Sequence, residues 1–153
     1  MPNDGARGSN RLLRARPEDD YERLRQYLRP REVHQREGLG ESGQRIVDVH
    51  FPIDAVVSLL TRMDEGPSVE IATIGNEGVV GLTVAWGSEA MNPREVATVQ
   101  APGEVVSMDV GAFRAELREQ GALASLVERY TLAFFSQVSQ QVACNGLHSV
   151  VQR

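Results

Sequence analysis

The sequence contains no lysine and only one cysteine, so all sixteen basic residues are arginine. A single cysteine excludes a disulfide framework, a four-cysteine iron–sulfur cluster and a zinc finger. No apolar run reaches 18 residues, which excludes a membrane-spanning helix. Met1 to Asn10 lacks the basic-then-apolar pattern of a secretory leader, so a cytoplasmic location is expected. A surplus of positive charge is missing too: the net charge is −5. Surfaces that contact nucleic acid are basic as a rule, so this chain is not expected to be the part that reads DNA or RNA. The lack of lysine itself carries no chemical reading.

What is present suits one globular domain. The 153 residues are 41% hydrophobic and 24% charged. Residues 1–9 read as a mobile tail. Pro17 followed by Glu18, Asp19 and Asp20 marks a helix start, with Tyr21, Leu24, Tyr27 and Leu28 on one face and Pro30 as its stop.

From Arg31 to Asp109 the period becomes two. Val47, Val49 and Phe51 alternate with Asp48 and His50, and Val69 and Ile71 alternate with Glu70 and Ala72. Further runs cover Ala55 to Leu60, Val96 to Ala101 and the stretch from Val105. Turn chemistry separates them at Gly38–Gly43, Asp64–Pro67, Asn76–Gly78 and Pro102–Gly103. Six or more short strands predict an all-β barrel, sandwich or jelly roll, and no strand–helix alternation supports a Rossmann-type sheet.

After Asp109, a plausible N-cap, helical spacing returns with Phe113 and Leu117. Ala122 to Ala143 reads as one long helix of roughly 33 Å, ended by Asn145-Gly146. Its apolar stripe moves. Leu123, Val127, Tyr130 and Phe134 share one face, then Phe135, Val138 and Val142 lie about a quarter turn round it. A displaced second stripe predicts a twin helix in a homodimer, with Thr131, Phe135, Val138 and Val142 at the seam; the alternative is that both stripes bury within one domain. Ser149 and Gln152 form a capping-box pattern that opens a new helix, so residues 146–153 read as the start of a further domain.

No catalytic motif is present, and an enzyme is not expected. His34, His50 and His148 lie in separate elements without ligand spacing, and His50 is expected at the surface. Cys144 reads as an inert packing residue. Glu37, Glu41, Asp48 and Asp54 read as solvated loop acids. No cofactor follows from these residues. A cupin-like metal catalyst would need clustered His and Glu ligands that the chain lacks. Between Gly75 and Ala101, glycine-rich turns and Arg94 could cradle an anion, and an ordinary crossover loop explains the same residues equally well.

The order of elements resembles the Crp/Fnr family of bacterial transcription regulators. The segments that carry the resemblance are Arg36-Glu37-Gly38 with Gly43, Val49-His50-Phe51-Pro52, Val69 to Gly81, Val99 to Val105, and Cys144-Asn145-Gly146-Leu147-His148-Ser149. It implies a mainly β fold with flanking helices: a double-stranded β-helix, or jelly roll, of the cyclic-nucleotide-binding kind over residues 10–121. A long dimerisation helix follows over residues 122–145. It further implies DNA contact only through a winged helix-turn-helix domain outside this chain, and a small-molecule effector. The alternative is the regulatory domain of a kinase- or channel-type protein.

The family's nucleotide pocket maps onto Gly81, Leu82, Arg94, Glu95, Val96 and Ser139. Two departures stand out. Leu82 occupies the place of a Glu that takes the ribose hydroxyl, and leucine cannot accept that bond. Glu95, not Arg94, falls where an Arg holds the cyclic phosphate, unless a one-residue bulge brings Arg94 in. An acid about 4 Å from a phosphate costs about 1 kcal/mol in water and several in a less polar site. Tight cyclic-AMP binding is therefore not expected.

Overall fold

The computed structural model describes residues 9–147. Of the expected tail (residues 1–9), only Ser9 is described, and it is helical; residues 1–8 and the Ser149–Gln152 capping box lie outside the described residues.

Two short helices, α1 (Arg11–Arg14) and α2 (Glu18–Arg25), precede the first strand among the described residues. Asn10 is the hinge pin of this start. Its Oδ1 accepts from the Leu12 and Leu13 N–H groups, capping α1, while its amide donates to the carbonyls of Pro52 and Gly78. Every polar atom of this fully buried side chain has work, so the cost of burying it is offset. The helix α2 ends at Arg25, before Pro30. Tyr27 and Leu28 donate three residues back, to Leu24 and Arg25, and tighten the chain into a turn.

Pro30 instead lies in β1 (Arg29–Val33). This strand pairs only with β7 (Gly103–Asp109), at the edge of a three-stranded sheet in the order β1-β7-β3, where β3 is Asp48–Pro52. An edge strand tolerates the missing N–H. The second sheet has the order β2-β6-β4-β5, from β2 (Gly38–Gly40), β6 (Glu95–Ala101), β4 (Val56–Thr61) and β5 (Val69–Ile74). All pairings are antiparallel. A 3-10 helix, Leu82–Trp86, sits between β5 and β6.

The core joins Val49, Phe51, Val57, Val106 and Met108 of the sheets to Leu13, Tyr21 and Leu24 of the first helices. It continues to Phe113 of α3 (Val110–Arg118), whose ring meets Phe51 edge-on at 6.3 Å. Asp109 caps α3 by accepting from Ala112 N–H, as the sequence predicts. Glu116 of α3 accepts two bonds from Arg23 of α2, and the buried Arg16 lies 3.6 Å from the same carboxylate.

Two strand expectations fail at β3. Val47 lies outside the strand and is exposed. His50 is buried rather than at the surface, with its Nδ1 hydrogen-bonded to Ser107 Oγ at 2.7 Å. Residues Gly38 to Arg45 wall a cavity of about 210 Å³ over that face, so both faces of β3 are screened from water and simple alternation does not apply. Burial lowers the His50 imidazole to about 4; Asp48 opposes the shift, and Arg31 and Arg29 add to it.

The last described element, α4 (Ala122–Leu147), has 26 residues and is about 39 Å long. It passes through Asn145-Gly146 rather than ending there. Gly146 is not among the glycines with positive φ, and a glycine that keeps helical geometry weakens a helix without terminating it.

Candidate ligand cavity

The first half of α4 lies on the body of the protein. Leu123, Val127 and Tyr130 are buried, and Tyr130 stacks at 5.9 Å from Phe134. Gly78 runs under Tyr130 so closely that a Cβ there would overlap the phenol. Burial, with Glu77 nearby, pushes the Tyr130 hydroxyl well above its ordinary range.

Just beyond this contact a cavity of about 310 Å³ opens between α4 and the four-stranded sheet. Leu59, Ile71, Ile74 and Ala97 form its floor, and Thr131, Phe134, Phe135 and Val138 of α4 form one wall. The segment Val79 to Thr83, with Trp86 and Met91, forms the opposite wall. This wall is built deliberately. Gly81 has φ +92°, which a side chain disfavours, and starts the 3-10 helix; Gly87 ends it at φ +93°. Arg114 of α3 then staples the helix from behind, donating from Nε to the Val84 carbonyl at 3.2 Å and from Nη2 to the Ser88 carbonyl at 2.7 Å. From the front, Trp86 Nε1 donates to Thr131 Oγ1 at 3.2 Å, and Thr131 donates on to the Val127 carbonyl. The 3-10 helix and α4 are thus connected across the mouth of the cavity.

The structure brings Gly81, Leu82 and Glu95 to this cavity. Arg94, Val96 and Ser139 are not among its lining residues. Arg94 points to solvent and pairs with Asp64 at 3.0 Å. No bulge rotates it inward: β4 and β6 stay in register through Thr61↔Glu95, Leu60↔Val96 and Leu59↔Ala97. Val96 is buried one residue out of phase with Glu95 and Ala97, so it faces the other side of β6. Ser139 is exposed on α4.

Glu95 is half-buried, and desolvation raises its carboxyl above the ordinary value. Its side chain has no hydrogen-bond or ion-pair partner among the described residues. Of the seam residues, Thr131, Phe135 and Val138 also line the cavity, while Val142 is exposed beyond it.

Sequence reasoning missed Leu132. It is 71% exposed and stands on the same side of α4 as Phe135 and Val142, at 70% and 57%. Its spacing of three before Phe135 was the available signal. It missed Arg114 as well, because nothing local marks an arginine as a staple for a distant loop. Cys144 is exposed rather than packed. Among the described residues, no three His, Cys, Asp or Glu side chains group as metal ligands, and no helix is long and apolar enough to cross a membrane.

No protein-family model matches the sequence, and no curated protein does. Solved structures do match. The catabolite activator protein of Thermus thermophilus superimposes with a TM-score of 0.66 at 12% identity, covering 88% of this chain and 62% of its own. The N-terminal domain of a transcriptional regulator from Streptomyces coelicolor gives 0.61 at 14% identity, covering 96% of this chain and 98% of its own. The chain shares its fold with these two regulators. A regulatory subunit of a cAMP-independent protein kinase A from Trypanosoma brucei has the fold too, with a TM-score of 0.67 at 15% identity over 80% of this chain and 43% of its own. This chain therefore spans less than two thirds of the length of the Thermus Crp-type protein. The shared fold comprises the two antiparallel sheets, the flanking helices and the long α4.

Proposed function

We propose that this chain is the ligand-sensing and dimerisation part of a Crp/Fnr-type transcription regulator working in the cytoplasm. The observation that carries the reading is the double use of α4. Thr131, Phe134 and Val138 close the cavity, while Leu132, Phe135 and Val142 form an apolar stripe left open to solvent. A twin helix covers such a stripe, and a ligand in the cavity then bears directly on the seam. On this reading residues 10–121 form the sensing roll and α4 the seam, and DNA contact belongs to a winged helix-turn-helix domain that is not part of this sequence. The effector is not a tightly held cyclic nucleotide. Leu82 offers no acceptor, Glu95 places an acid at the cavity, and Arg94 is turned away to Asp64.

Light scattering tests the seam. The chain is expected to be a dimer, and Phe135→Glu or Val138→Glu to halve its mass. If both variants keep a dimeric mass, the seam is wrong. Calorimetry with cyclic AMP and cyclic GMP tests the pocket, and a micromolar or tighter constant for either refutes that part.

The likeness to the Trypanosoma kinase subunit favours a second reading, a regulatory domain of a signalling protein. The codons that follow Arg153 separate the two: a winged helix supports the first, kinase- or channel-type sequence the second.

A further inference from the structure

We propose that the cavity under α4 takes a small apolar amine, whose ammonium group sits on the Glu95 carboxylate. This rests on the sensor reading above and names the chemical class of its effector.

Three observations converge. The cavity is walled by aliphatic and aromatic side chains, and at about 310 Å³ it stands at the small end of ligand cavities. At interior packing density that volume suits about a dozen non-hydrogen atoms. The Thr131 hydroxyl and the Trp86 indole are committed, since Thr131 receives the Trp86 N–H and donates to Val127; the Thr83 hydroxyl is the other neutral polar group in the lining. Glu95 is the one acid in the lining: half-buried, and without a partner among the described residues. Among the described residues no arginine lines the cavity. An anion would meet Glu95 with no cation to balance it. A neutral donor would satisfy one lone pair. An ammonium supplies both the donor and the opposite charge, and charge-assisted bonds are about twice as strong as neutral ones. The apolar body of the same molecule would pack between Phe134 and Ile71.

Trp86, the sole tryptophan, lines the cavity, so its fluorescence reports occupancy without a label. The full chain is titrated with three probes of one shape: phenylbutylamine, phenylbutanol and phenylbutyrate. The amine is expected to bind about tenfold tighter than the alcohol and about a hundredfold tighter than the carboxylate. Glu95→Gln is expected to weaken the amine about tenfold while holding the alcohol within about twofold, and this second value shows that the variant keeps its cavity. The order of the three probes on the unaltered chain decides the matter even if the variant does not fold. A carboxylate that binds as well as the amine, an amine indifferent to Glu95→Gln, or no saturable response to the amine by about 1 mM overturns the proposal. Mass measured in the same samples keeps the two readings apart. A monomeric chain that prefers the amine sinks the sensor-dimer reading alone, and a dimer without that preference sinks the amine alone.

Discussion

The two halves of α4 are built from similar apolar residues and meet opposite fates. Leu123 and Val127 are 1% and 2% exposed, whereas Leu132 and Phe135 are near 70%. Hydrophobicity does not separate them. What separates them is what lies alongside. The strands have at most seven residues, about 23 Å, and α4 runs to about 39 Å, so the helix outlasts any strand it packs on. The lesson is that an apolar helical face states a need for cover and leaves open where the cover comes from.

The contrast is broken most forcefully in the buried half. Leu123→Ala should cost about 2–5 kcal/mol of unfolding free energy, because the fully enclosed site cannot collapse around the void. Urea denaturation measures it, and a cost under about 1 kcal/mol would erase the difference between the halves. A smaller effect comes from acid. His50 exchanges both backbone hydrogen bonds with Val80, on the segment that runs from Gly78 under Tyr130. Its folded value of about 4 lies below the ordinary value near 6.5. The unfolded chain therefore takes up the proton first. This stabilisation is complete above about pH 6.5 and drains away as the pH falls toward 4, about 2 kcal/mol of it by pH 5. Denaturation at pH 7 and pH 5 reads the loss, and His50→Gln should flatten that portion of the pH dependence. The smallest effect belongs to the exposed half. Phe135→Ser should leave the stability of dilute chain within about 0.5 kcal/mol. Wild-type melting temperature should rise with protein concentration and the variant's should not, because only association stabilises that face. A large loss at high dilution would mean that Phe135 is held by its own domain.

Much of this was legible in the sequence because it is local. Asp109 as a cap and Val49 and Phe51 on one buried face of a strand each follow from neighbours in the chain. The displaced stripe on α4 was readable for the same reason. What could not be read depends on distant partners. His50 is buried because residues 38–45 wall its side of the strand, Asn10 because Pro52 and Gly78 accept from its amide, and Arg94 stays outside because the β4–β6 register leaves it in the turn before β6, where it reaches Asp64. The candidate site divides along the same line. Leu82 and Glu95 were visible as departures from a nucleotide pocket, yet the apolar character of the whole cavity emerges only when β4, β5, β6 and α4 are assembled around it.

The lone thiol stands exposed on the overhanging half of α4, and the lone indole stands at the sensing wall. A chromophore attached to Cys144 makes the natural chain an energy-transfer ruler with Trp86 as donor. Any swing of the helix tip against the roll would be readable as a change in colour.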